Sequence, residues 1–431
     1  MMPQMRCVVL ACVLGLTATA RASSPIDAPA FSIAPAELGA AVRAMPAVGN
    51  DVDVIGESFD YAIDRDHTVE TWRVIFIVRS DGGADEWSAL GATYRSFQDR
   101  PSVRIRVIGA NGAVTVLEPK PTSDAPVVHA AIDSDARKLD VALPTLQPGD
   151  VVEEQMVTND RGGLVHAGVD WRVQLGGLGP TAASRVTVSA PEGQQVRFSE
   201  HALPHGVHVE HATAAGRETW RYALGALDLP ASEPFEPADV YDHPTIAIST
   251  VASWNALARE LRATIDAQIA AGPPTWPAGV AETPAAIVEW ARGRVRDQAI
   301  DVDETVLRPM TPADVLRRGV GDSLSQATAI VALLRKRNVR ADVALVDIAP
   351  GIDAEPGLPG LTGFDRAAVR AQIGGVDLWI EPSDRFVPIG KLASHSHARH
   401  ALVLTDETLA LITLPAAAML DNQVHETCTF A

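Results

Sequence analysis

The chain changes its hydrophobic period once, and that change constrains its fold more than any other feature. From about Asp51 to about Leu227 the signals are those of strands. "TVETWRVIFIV" is β-branched and aromatic with alternation in its first half. "VRIRVIGANGAVTVL" predicts a hairpin with Asn111-Gly112 as a type I′ turn. "ASRVTVSAPEGQQVRFSE" predicts a second strand-turn-strand, and "LPTLQPGDVVEEQMVT" a turn followed by a strand. Many short strands with regularly spaced turns predict an all-β, antiparallel, sandwich-like domain over 51–227. The Pro-rich, acidic stretch "LDLPASEPFEPADVYDHP" gives a linker over 228–244. Beyond it the period is helical in "SWNALARELRATIDAQIAA", "TPAAIVEWARGRVRDQA" and "TPADVLRRG", the last with Thr311 as N-cap and Pro312 at the first helical position. Strands follow in "RADVALVDI", "FDRAAVRAQI" and "VDLWIEP", the last two joined across Gly374-Gly375. Helices first and strands later predict an α+β domain over 245–415.

The two ends read differently. Arg6, the apolar run "CVVLACVLGLTATA" and the small-x-small site Ala20-Arg21-Ala22 form a secretory signal over 1–22. The expected product is periplasmic or secreted and begins at Ser23; lipidation at Cys12 is the alternative. Residues 23–50, rich in Ala and Pro, are expected to be a flexible leader, and 416–431 a C-terminal tail. No later segment is apolar and long enough to span a membrane. The net charge is −18, and cleavage would remove Arg6 and Arg21 but no acid. That balance argues against nucleic acid as a partner. The mature chain keeps only Cys428, which excludes an internal disulfide and a cysteine-based metal site.

"GVGDSLSQATAIVALLRKRNVRADVALV" predicts a turn, a helix and a strand. Leu324, Ala327, Ile330, Val331 and Leu334 give the helix a buried face. Asp322 is placed to cap it, with Ser323 at its start. A helix start suits a nucleophile, because the dipole and free N–H groups favour negative charge there.

The stretch "RPMTPADVLRRGVGDSLSQATAIVALLRKRNVRADVALV" resembles the core of bacterial transglutaminase-like domains, which share the papain-type fold. "LDVALPTLQPGDVVEEQ" resembles the β-rich domain of unknown function that precedes such domains in exported bacterial proteins. The resemblance implies a cysteine, a histidine and an aspartate at three catalytic positions. This sequence has Ser323, Arg366 and Glu381 there, with Trp379 and "HALVLTDE" as flanking signs. Arginine stays protonated and cannot act as a base. Counting outward from Gly374-Gly375 places Arg366 and Glu381 as diagonal neighbours, so an ion pair between them is expected, with all three residues meeting in one cleft.

The remaining polar clusters read as solvated loops. These are His395, His397 and His400 of "HSHARH" and the acids of "DSDARKLD" and "DVDETV". No cofactor or metal is expected. The expected function is a non-catalytic, exported transglutaminase-like protein that binds an envelope peptide, protein or glycan, or acts as a scaffold. The alternative is an amide hydrolase or acyl transferase using Ser323, with a base from His395, His397 or His400. A third reading places the interaction on the β-rich domain alone.

Overall fold

The structure is a computed structural model. It describes residues 24–429 apart from 48, 66, 119, 128–134, 164, 206, 228–236, 238, 301, 303–306, 349–350 and 417–425. The expected signal segment and most of the expected linker and tail lie outside the described residues. No described helix is long and apolar enough to cross a membrane.

The chain begins with helix α1 (Pro35–Arg43), then strands β1 (Val52–Ile63) and β2 (Thr68–Val78), helix α2 (Asp81–Glu86) and strand β3 (Ala89–Tyr94). Next come β4 (Ser102–Ile108), β5 (Val114–Leu117), β6 (Ser123–Pro126), β7 (Arg137–Ala142) and β8 (Val151–Asp160). The series continues with β9 (Asp170–Gln174), β10 (Ser184–Pro191), β11 (Arg197–His201), β12 (His208–Ala214), β13 (Arg217–Leu224) and β14 (Thr245–Ser249). Eight of these form one sheet in the order β12-β13-β10-β1-β2-β8-β4-β5. Its β1–β10 pair is parallel, so the sheet is mixed rather than antiparallel throughout. Two three-stranded sheets, β3-β7-β6 and β11-β14-β9, cover one face.

Several expectations need correction here. The β4–β5 arms pair as predicted, but the last pair is Ile108↔Val114, so the loop is longer than a two-residue turn. Gly112 has φ 84, whereas Asn111 is not in the left-handed region that a type I′ turn requires. The strands β10 and β11 join different sheets instead of forming a hairpin. Strand β14 pairs with β9 and β11, so the chain returns to the β-rich part beyond residue 244. All five of its residues are buried, which is the signature of a strand covered on both faces.

Residues 24–45 are not a free leader. Ile26, Leu38 and Val42 are buried against Ile55, Ile75, Ile77 and Ile108 on the face of the large sheet opposite the small sheets. Glu153 anchors this strap. Its carboxylate accepts from Arg73 (Nη2, 2.6 Å), from Arg106 and from the Phe31 amide (2.8 Å). The same arginines donate to the Ala28 and Ile33 carbonyls. The Ala- and Pro-rich composition hid this, because the partners lie far along the chain, from 45 residues for Arg73 and Ala28 to 122 for Glu153 and Phe31.

The second part holds helices α3 (Trp254–Ala271) and α4 (Pro284–Arg294), strand β15 (Arg296–Asp297), helix α5 (Pro312–Arg318), strand β16 (Val320–Gly321) and helix α6 (Ser323–Arg335). Strands β17 (Ala341–Val346), β18 (Arg366–Ile373), β19 (Val376–Ile380), β20 (His400–Val403) and β21 (Ile412–Thr413) form a sheet in the order β19-β18-β17-β20-β21. The N-caps are those predicted: Thr311 Oγ1 accepts from the Asp314 amide and Asp322 from the Ser325 amide. Gly374 and Gly375 turn β18 into β19 with φ of 62° and 81°, which suits glycine. Helix α6 packs on the sheet face formed by Val343, Leu345, Ala367, Val369 and Ile380.

Candidate functional site

Twelve of the thirteen residues of α6, all but Arg335, are buried. Ser323 is 0% exposed. Its hydroxyl oxygen accepts a 3.0 Å bond from the Ala367 amide of β18. Asp322 also accepts from the Ser325 hydroxyl (3.1 Å), and Ser325 accepts from the Met310 amide (2.9 Å). Burial pushes the Asp322 carboxyl up, while its bonds to Ser325 oppose that shift. This corner therefore consists of caps and backbone contacts. Gly321 belongs to it for a steric reason: a Cβ there would meet Val315 Cγ2 at 2.5 Å.

Arg366 opens β18 and reaches Asp297 at 3.4 Å. Gln326, one turn along α6 from Ser323, donates to the other Asp297 oxygen (3.1 Å) and to the Gly321 carbonyl (3.0 Å). The short parallel pairing of β15 with β16 sets Asp297 opposite Gly321. The sequence reading missed Asp297 and Gln326. It ran the helix through "RVRDQA", whereas α4 ends at Arg294, ahead of the β-branched Val295.

Glu381 lies elsewhere. The counted register is correct, since Val369 pairs with Ile380 and Ile373 with Val376. The expected ion pair nevertheless does not form. Glu381 accepts from the Ala393 amide (2.7 Å) and the Ser396 hydroxyl (3.2 Å), and its carbonyl accepts from Arg292 Nε (3.0 Å). Burial pushes its carboxyl up and those bonds lower it. Ile380 packs with α6, whereas Trp379 and Leu392 belong to the cluster on the other face of the sheet. Alternation along the strand thus carries Glu381 away from Ser323. The expected convergence of all three residues is replaced by a Ser323–Arg366 corner and a separate Glu381 turn.

Among the described residues, no histidine nitrogen is hydrogen-bonded to Ser323. His395 is exposed, His397 is half-buried, and His400 Nδ1 lies 2.7 Å from Asp353. Asp135, expected to be solvated, accepts from Arg95 and from the Ser96 amide. Among the described residues no group of three or more His, Cys, Asp or Glu could hold a metal ion. A cleft of about 450 Å³ opens on the same sheet, lined by Arg340, Asp342, Arg370, Asp377 and Glu407, and it includes neither Ser323 nor Glu381.

Comparison with known proteins matches this architecture in part. Residues 64–230 match the family described as a domain of unknown function with a solved structure, DUF3857. No curated protein matches the chain by sequence. The fold is similar to that of a protein from Parabacteroides distasonis described as a "putative protease", with a TM-score of 0.67 and 16% identity. The alignment covers 86% of this chain and 72% of that one, and at this identity it shows the fold alone. An M1 zinc metallopeptidase from Deinococcus radiodurans aligns over 47% of this chain and 44% of its own, at 14% identity and a TM-score of 0.25, which carries no argument. The chain thus has a region that matches DUF3857 within an overall fold similar to that of the Parabacteroides protein.

Proposed function

We propose that this is an exported, transglutaminase-like protein of the cell envelope that binds or scaffolds and does not catalyse acyl transfer at Ser323. One observation carries the reading: the Ser323 hydroxyl is wholly buried and engaged by the Ala367 amide. A nucleophile has to meet its substrate and give its proton to a base. Arg366 cannot accept that proton, and its guanidinium lies against Asp297. The fold of the Parabacteroides protein and the resemblance of "GDSLSQATAIVALL" to a transglutaminase-like helix support the class. The run at residues 1–22 supports export.

The test is amine incorporation into a glutamine-containing protein, together with amide hydrolysis, for the full chain and for Ser323→Ala. No turnover above background is expected from either. Turnover by the wild type that disappears in Ser323→Ala would establish the hydrolase or acyl transferase instead.

A further inference from the structure

The cover that the two small sheets give the large one is uneven, and it leaves Phe59, Trp72 and Met156 half-buried. One cluster of buried residues lies beneath β3-β7-β6 and another beneath β11-β14-β9. Between them runs a row of half-buried side chains, each directly opposite the next: Phe59 on β1, Trp72 on β2 and Met156 on β8. Trp171 of β9 flanks this seam and touches the Tyr61 ring at 4.9 Å. A carboxylate sits on either side of the row. Glu70 pairs with Thr158 and Glu154 with Val74, all on the same face by alternation. Glu154 is 3% exposed and has no hydrogen-bond or ion-pair partner among the described residues. Among the described residues Glu70 meets the Tyr61 hydroxyl, and no Arg or Lys is paired with either acid. Two residue pairs beyond Glu70 and Thr158, on the same face, Thr68 and Asp160 line a cavity of about 230 Å³.

A buried carboxylate without a counter-charge costs stability. Burial holds both Glu70 and Glu154 at about 7, and Asp160 adds to the shift of Glu70. The aromatic faces of Phe59 and Trp72 between two anionic sites attract a cation by the ring quadrupole as well as by charge. We propose that this seam binds an extended basic peptide, with lysine or arginine stems laid on Trp72 and Phe59 and their charged ends on Glu70 and Glu154. The four-residue offset from Glu154 to Thr158, the residue opposite Glu70, corresponds to roughly 13 Å along an extended chain. Basic residues four apart in such a peptide therefore fit both acids. This surface lies in the β-rich part and does not depend on the reading of Ser323; turnover at Ser323 would overturn that reading and leave this one standing.

The experiment is isothermal titration of the full chain with an alanine peptide carrying two lysines four residues apart, beside the same peptide with both lysines acetylated. The lysine peptide should bind saturably and more weakly as salt rises. Acetylation, or the double change Glu70→Gln with Glu154→Gln, should raise Kd by about tenfold or more. Both glutamines keep the shape of the acids, and an undiminished melting temperature shows that the variant is folded. Absence of saturable binding, equal binding of the acetylated peptide, or an unchanged Kd in the folded double variant would each overturn the proposal. A neutral oligosaccharide that both proteins bind equally would assign the seam to sugars and overturn it as well.

Discussion

Glu153 and Glu154 are neighbours in sequence and are buried on opposite faces of one sheet, 0% and 3% exposed. Glu153 is held between Arg73 and Arg106 and fixes the strap over its face. Glu154 lies between the buried Val74 and Ile105 of the neighbouring strands and has no partner among the described residues. Burial alone therefore says little about what an acid does. The first completes the fold and is satisfied within it. The second is a cost that the fold bears, and a cationic ligand would relieve it.

The largest expected effect comes from breaking the satisfied side. Glu153→Ala leaves two buried arginines without their carboxylate and should cost about 3–5 kcal/mol. Urea denaturation measures the loss, and limited proteolysis should cut residues 24–45 first. Loss of less than about 1 kcal/mol would mean that the strap is held by its apolar contacts alone. Glu154→Gln should act in the opposite direction. The acid is raised from 4.5 to about 7, so the substitution should gain on the order of 2–3 kcal/mol at pH above about 8.

Ser323→Ala tests a buried group of a third kind, a neutral one with one partner. It strips the acceptor from the Ala367 amide and should cost about 1–2 kcal/mol, with faster hydrogen exchange at Ala367. A thiol in that place, Ser323→Cys, should react with iodoacetamide only as fast as the domain opens; rapid labelling would show a cleft at α6. The smallest effect belongs to the exposed end of the strap. Asp27→Asn removes the 2.8 Å pair with Arg221 and should change stability by less than about 1 kcal/mol.

Local signals in the sequence carried much of this. The caps Thr311 and Asp322, the glycine turn at 374–375 and the register of β18 with β19 follow from neighbours in the chain. The strap was not legible, because its burial depends on arginines 45 and 73 residues away from the carbonyls they hold. The Arg366–Glu381 pair failed for a similar reason. The register was right, but Asp297 and the Ala393–Ser396 turn outbid each partner from elsewhere in the chain. The seam was invisible too, since uneven cover by other sheets leaves no periodic mark. A hint lay in "VVEEQ", where two adjacent acids in an apolar strand must face opposite ways.

The most direct test of the unsatisfied state of Glu154 is the pH dependence of urea stability for the wild type and for Glu154→Gln. Because the folded pKa is raised, the carboxyl is neutral in both states below about pH 4 and costs nothing there; the cost builds as pH rises from about 4.5 to about 7, where the unfolded chain is ionised and the folded one is not, and is complete above 7. The two proteins should be equally stable at low pH, and the glutamine variant should pull ahead between about pH 4.5 and 7 and keep a constant lead above that. A difference that stays constant across pH, or a wild type that is the more stable above pH 7, would show that Glu154 already has its partner.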